Sequence, residues 1–290
     1  QNSGVQEIAL KKNALVREIS SKTKMIWKGQ PLSVADLIGG GNGFGEGRAE
    51  AGVNVADGQT VNRLPDLETH QLSDGYRPVR ANPCVDGVFV PGIGLSGTQI
   101  TSAGAVVRFP ATSGAVWGYI FNGAMHEGAT TPRHALRLDG IVFGTQEAPA
   151  ITFHSNQGLT LDLAKIRQSI PGLDIRSFSS LAGVSQTVSD ALEREKGRSF
   201  DDFPAVQKVF DAGYSKVEFW IFLDGKEVFH QERSSADGAQ KVDIPISEKD
   251  RFLTLAVTES DDTHAYDWAL FGRPELILKT KDQMKQEFRE

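Results

Sequence analysis

The sequence contains one cysteine, Cys84, in 290 residues. A single thiol excludes an intrachain disulfide framework. The ordinary use of such a residue is as a small buried side chain, and no neighbouring base marks it as a nucleophile. No apolar run approaches the roughly 18 residues of a membrane-spanning helix, so membrane insertion is not expected. Basic excess is also missing. Lys and Arg total 31 against 37 Asp and Glu, a net charge of −6. A phosphate-tracking surface needs clustered Lys and Arg, and none is visible, so nucleic acid is not an expected partner. No Asn-x-Ser/Thr glycan acceptor occurs. The first residue is Gln1, which fits a mature product or an excised piece of a longer chain.

Catalytic signatures are lacking too. His126-Glu127 is followed by Gly128, Ala129 and Thr130, so it does not complete a His-Glu-x-x-His zinc motif. There is no Gly-x-Ser-x-Gly nucleophile elbow. The six histidines, at 70, 126, 134, 154, 230 and 264, offer no pair two or four apart for zinc. Nothing marks an opposed pair of carboxylates for glycoside hydrolysis. The expectation is a protein that is not an enzyme. Residues 39–47 hold six glycines, but no register gives Gly-x-Gly-x-x-Gly and no Lys-Ser/Thr follows. They are expected to be a positive-φ backbone folded around Phe44.

What the chain does have is glycine, 30 residues without a strict repeat, which suits a turn-rich all-β fold. From Pro83 onward short alternating runs follow one another. They include 85–90, 105–109, 116–121, 150–154, 159–163 and 174–182, with Ser155 to Gly158 read as a hairpin turn. Leu163–Ile170 reads as a short helix capped by Asp162. Residues 188–211 switch to helical spacing. The clearest stretch is 216–278. Val217, Phe219, Ile221 and Leu223 share one face, Asp224-Gly225 makes a hairpin turn, and Val242, Ile244, Ile246 then Leu253, Leu255, Val257 repeat the alternation. It is expected to be a four- or five-stranded meander that packs on a second sheet. Trp220 and Phe222 fall on its other face and need cover, from the helical insertion or the N-terminal residues.

Two clusters could meet a ligand. Trp117 and Tyr119 lie two apart on one strand, with Asn122 beyond, and sugars offer C–H faces for rings and hydroxyls for polar groups. His154, Asn156 and Gln157 sit at the expected hairpin tip on the same rim. Asp261-Asp262-Thr263-His264-Ala265-Tyr266-Asp267-Trp268 is the densest polar and aromatic run. Asp261, Asp262 and Asp267 are oxygen donors of the kind calcium takes, though not at EF-hand spacing. The structural alternatives are core packing for Trp117, Tyr119 and Trp268, and a backbone-bonding role for Asp267.

The order of short motifs carries a resemblance over residues 83–278. They are His154-Ser-Asn-Gln-Gly-Leu-Thr-Leu-Asp-Leu163, Phe178-Ser-Ser-Leu-Ala-Gly183, Val217-Glu-Phe-Trp-Ile-Phe-Leu-Asp-Gly-Lys226 and His264-Ala-Tyr-Asp-Trp-Ala269. They resemble the successive motifs of NPCBM domains, a group of carbohydrate-binding modules related to carbohydrate-binding module family 51. The resemblance implies a β-sandwich, non-catalytic glycan binding, and attachment to glycoside hydrolases or other domains. It also implies large bacterial secreted, cell-surface or periplasmic proteins, planctomycete ones among them. Some members bind galactose-type sugars. Two departures lie in the last motif. Thr263 stands where the family has Asp before the His, and Tyr266 is an extra residue between Ala265 and Asp267.

The expected fold is therefore all-β: a two-sheet antiparallel β-sandwich of jelly-roll or galactose-binding-like type, about nine to twelve strands, with short helical insertions. Residues 1–82 would form an N-terminal arm packed on it, 83–280 the module with its insertion at 188–211, and 281–290 a charged tail. The expected glycan contacts are Trp117, Tyr119, His154, Asn156, Asp261, Asp262, His264 and Tyr266, with calcium at Asp261, Asp262 and Asp267. The alternative is a structural or protein-interaction module that kept the sandwich without a sugar site.

Overall fold

The computed structural model describes residues 27–65, 69–93, 97–127, 131–260 and 263–280, with backbone alone at 125–127 and 131–134. Residues 1–26 of the expected N-terminal arm, the tail at 281–290, and Asp261 and Asp262 lie outside the described residues. Two units are distinguished, Gln1–Gln30 and Pro31–Glu290. In the first, Trp27 donates its indole N–H to the Gln30 carbonyl at 2.7 Å.

The second unit is a β-sandwich. Its principal strands are β1 (Leu32–Ser33), β2 (Gly52–Asn54), β3 (Thr60–Val61), β4 (Arg77–Pro78), β5 (Val85–Phe89), β6 (Tyr119–Asn122) and β7 (Ala150–Phe153). They continue as β8 (Gln157–Asp162), β9 (Leu173–Val184), β10 (Lys216–Leu223), β11 (Lys226–Ser234), β12 (Gln240–Pro245), β13 (Phe252–Glu259) and β14 (Ala269–Thr280). The larger sheet has eight strands in the order β12-β9-β14-β7-β6-β2-β3, with β1 also paired to β14. The smaller has six, in the order β11-β10-β13-β8-β5-β4. All of these pairings are antiparallel. With 14 strands, the two sheets exceed the expected number.

Alternation explains the core. Val217, Phe219 and Ile221 of β10 are fully buried on one face. Phe271 of β14 meets Phe219 edge-on at 5.4 Å, and its own sheet's Phe153 and Phe178 at 5.6 and 6.5 Å. One ring thus joins the two sheets, in the edge-to-face geometry aromatic quadrupoles favour. Trp220 and Phe222, on the outer face of β10, are covered, and among the described residues the cover comes from residues 89–109 rather than from the insertion. Phe89 and Ile100 pack there with Val107 and Phe109, and Phe109 stands edge-on to both rings at 5.6 Å. On the larger sheet a hairpin of 136–138 with 141–143 adds a further layer, and Leu136, Leu138 and Phe143 pack against Ala150 and Leu270.

Three expectations about connectivity are corrected. The stretch 216–278 is not one meander, because β12 and β14 belong to the larger sheet while β10, β11 and β13 belong to the smaller. Ser155 to Gly158 is not a hairpin turn, because β7 and β8 lie in different sheets and the chain crosses between them there. Within residues 32–61, taken as part of an arm lying on the sandwich, β1, β2 and β3 are strands of its larger sheet.

Among the described residues the helices are α1 (Val34–Ile38), α2 (Leu163–Ser169), α3 (Thr187–Arg194) and α4 (Pro204–Ala212). Asp162 caps α2 as expected, accepting from the Lys165 N–H at 3.1 Å. Proline opens α4 at its first turn, where its missing N–H costs nothing, and Gly213 closes it at φ 79°. The glycine-rich loop after α1 takes positive φ at Gly40, Gly43 and Gly45, as expected, and leaves Phe44 half-buried. It wraps the buried Asp36 carboxylate, which accepts from the N–H groups of Gly43 at 2.6 Å and Gly47 at 2.5 Å.

Candidate functional site

Trp117 sits where an expected continuous strand breaks. Gly118 takes φ 83° between the residue pair 115–116 and β6, a conformation glycine adopts without steric cost. The break ends the simple alternation, so Trp117 and Tyr119 are not two positions of one flat strand. Tyr119 pairs in register with Asn54, which donates to its hydroxyl at 3.4 Å. Trp117 lies instead against His154, with ring centroids 4.4 Å apart and planes 31° apart. The Trp117 ring is half-buried and His154 is 1% exposed.

The crossover from β7 to β8 builds the floor under that stack. The His154 N–H donates to the Gln157 side-chain oxygen at 2.8 Å, and the Gln157 amide donates to the Tyr119 carbonyl at 3.2 Å. Asn156 turns the chain at φ 63°, a left-handed conformation that Asn tolerates. Its side-chain amide donates to Glu259 Oε2 at 2.8 Å and to the Ala115 carbonyl at 3.2 Å, and its oxygen accepts from the Glu259 N–H at 3.1 Å. Ser113 donates both its N–H and its hydroxyl to the Glu259 carboxylate. His154, Asn156 and Gln157 are all buried, so the expectation of an exposed tip is corrected. A buried crossover between sheets must satisfy its polar groups internally, and these side chains do so.

The third part is the loop 263–268, reached from β13 and leading into β14. His264 is half-buried, with its ring centroid 6.4 Å from that of His154. Tyr266 turns away from this pair. It lies against Trp268 at 5.5 Å and edge-on to Phe210 of α4 at 6.1 Å, and Phe210 in turn stacks on Phe200 at 4.6 Å. Burial pushes the Tyr266 phenol above its ordinary range, with Glu195 adding to the shift. The loop backbone is tied down as well. Thr263 donates its hydroxyl to the Ala205 carbonyl of α4 at 3.0 Å, and Ser215 donates to the Tyr266 carbonyl at 2.8 Å. The insertion α3–α4 therefore braces this loop.

Of the expected contacts, the fold brings together Trp117, His154 and His264. Tyr266 lies two residues after His264 with its ring turned into the brace, Tyr119 faces Asn54, and Asn156 is an internal lock. Asp267 is fully buried. Among the described residues no three His, Cys, Asp or Glu side chains are grouped to hold a metal; Asp261 and Asp262 of the expected calcium set lie outside them. Sequence reasoning missed Glu259 and Ser113. The signal for Glu259 was present: it continues the face of Leu253, Leu255 and Val257, where a charge needs a partner. A separate cleft of about 300 Å³ is lined by Gly39–Gly41, Val61, Asn82 and Cys84 among others. Burial raises the Cys84 thiol there above its ordinary range.

The architecture defines the chain as a two-sheet antiparallel β-sandwich. Residues 172–277, from the start of β9 almost to the end of β14, match the family model of the NPCBM/NEW2 domain. Solved structures similar to the chain include carbohydrate-binding module 51 proteins. One is the Clostridium perfringens module from GH95 in complex with methyl-galactose, 18% identical, covering 53% of this chain and 88% of that one, with TM-score 0.35. Another is the M60 catalytic domain with two such modules from C. perfringens ZmpB, 24% identical, covering 49% of this chain and only 12% of that one, with TM-score 0.34. The tandem modules of a family 98 glycoside hydrolase from Streptococcus pneumoniae are 18% identical, covering 56% and 41%, with TM-score 0.36. No curated protein matches the chain.

Proposed function

We propose that the protein is a non-catalytic carbohydrate-binding module whose glycan rests on the surface formed by Trp117, His154 and His264. The observation that carries this reading is the half-buried Trp117 ring held at 31° against a buried imidazole, with a second imidazole beside it. A pyranose stacks its C–H face on such a ring, and imidazole nitrogens exchange hydrogen bonds with its hydroxyls. The NPCBM/NEW2 match supports the same class. Galactose-type sugars are the first ligands to test. One such site binds weakly, and attachment within a larger secreted or cell-surface bacterial protein raises the effective affinity by avidity. A calcium ion held by Asp261, Asp262 and Asp267 is part of this reading.

A second reading, a structural or protein-interaction module, is favoured by the burial of Asn156 and the turning of Tyr266 into the α4 brace. A glycan array run with and without calcium, followed by calorimetry, separates the two. Saturable binding that Trp117→Ala weakens at least tenfold is the expected result. Absence of binding by the folded protein to every glycan would leave the interaction module.

A further inference from the structure

We propose that Glu259 is a positioning residue for the Trp117–His154 surface, acting through Asn156 and Ser113. Its bearing on affinity rests on that surface being the glycan site; its bearing on geometry does not.

Three chain segments far apart in sequence meet at this carboxylate. Glu259 ends β13 and is 6% exposed. Ser113, four residues before Trp117, donates its backbone N–H to one carboxylate oxygen and its hydroxyl to the other, the latter at 2.7 Å. Asn156, two residues after His154, donates to that second oxygen at 2.8 Å and accepts from the Glu259 N–H at 3.1 Å. The same Asn156 amide reaches the Ala115 carbonyl at 3.2 Å and the Ser113 hydroxyl at 3.3 Å. The segment carrying Trp117 and the segment carrying His154 are thus clamped to one another and to the end of the strand from which the His264 loop departs. Asn156 holds its place at φ 63°, so its side chain has little freedom to find other partners. The chemistry selects glutamate. A carboxylate offers only acceptors, and it faces three donors. Glutamine in its place would turn an amide N–H₂ toward a group that also donates. Buried polar clusters of this kind fix a geometry rather than merely add stability, because every member is satisfied in one arrangement only.

The test uses the full chain with ¹⁵N-labelled tryptophan and ¹³C-labelled histidine, comparing Glu259→Gln with the wild type. The expected result is that the indole cross-peak of Trp117 and the imidazole cross-peak of His154 shift or broaden, while the indoles of Trp220 and Trp268 stay in place. Unchanged Trp117 and His154 signals would overturn the proposal. Glycan titration of the same samples then reads affinity, with at least tenfold weaker binding expected for Glu259→Gln. In a Trp117→Ala background the same substitution should cost nothing more, since it acts through that ring; an additive loss would overturn the proposal. If the wild type binds no glycan, the functional reading fails while the cross-peaks still decide the positioning role. If Glu259→Gln does not fold, Ser113→Ala, which removes the hydroxyl that donates to Glu259 and accepts from Asn156, carries the same readings.

Discussion

The indole of Trp117 is held over the imidazole of His154, 37 residues away in sequence, with 4.4 Å between ring centroids. The half-buried ring is the accessible partner and the buried imidazole is its support. Trp117→Ala should therefore leave the sandwich folded while lowering glycan affinity at least tenfold, about 1.4 kcal/mol. Calorimetry against the best array ligand reads the affinity, and circular dichroism reads the fold. Full-strength binding by the variant would move the site elsewhere on the surface.

The brace between α4 and the 263–268 loop makes a different prediction. Phe210 is the ring through which the insertion meets Tyr266. Phe210→Ala should cost about 1–2 kcal/mol, less than a fully buried phenylalanine, because the ring is only half-buried. Amide hydrogen exchange should quicken at residues 263–266 more than in β10 or β13, reporting a local opening. Uniform acceleration over the whole protein would contradict a local role.

Asp36 has two N–H donors from the glycine-rich loop packed against it. A Cβ built on Gly41 would lie 2.3 Å from Asp36 Oδ2 and from the Gly47 nitrogen. Gly41→Ala must therefore push backbone aside, at a cost of about 1–3 kcal/mol. Thermal melting should show a drop of several degrees. A variant melting with the wild type would mean that the loop relaxes without loss.

Alkaline stability should depend on Tyr76, whose hydroxyl donates to Asp86 Oδ2 at 2.7 Å. Burial, then the hydrogen bond and charge of Asp86, hold this phenol far above its ordinary range. The unfolded chain releases the proton near pH 10 (about the free tyrosine value). Below that pH the term is constant; above it the unfolded state gains by ionising and the folded state does not, so stability falls as pH rises. Denaturant titrations between about pH 9 and 11 should show that fall, and Tyr76→Phe should flatten it. An equal slope in the variant would assign the alkaline loss to other groups.

Much of the fold was legible because alternation is a local signal. β10, β13 and the Asp162 cap of α2 could be read from a few neighbouring residues. Sheet membership could not. Val242 and Ile244 declare a buried face, yet nothing within β12 says that it pairs with β9 rather than with β11 or β13. The same limit hid the crossover, since Asn156 and Gly158 resemble hairpin residues whether the next strand returns beside β7 or crosses to the other sheet. At the site, residue types were readable and juxtapositions were not. Trp117 and His154 could be named, but the break at Gly118 that separates Trp117 from Tyr119 depends on one backbone angle. Tyr266 was drawn toward Phe210 by an insertion whose packing no periodicity encodes.

Strand β14 also bears on how the chain is made. It is the last described strand, and it pairs with β9, β7 and, through Leu276, with Leu32 of β1. On the ribosome the larger sheet therefore cannot close until residues from 269 onward have emerged. Until then β1, β7 and β9 wait with open edges, at risk of pairing with other chains. Contacts this distant in sequence slow folding through the entropy of closing long loops. Within the smaller sheet β10, β11 and β13, which lie within 44 residues of one another, can pair first, leaving the Phe219 face open until Phe271 arrives.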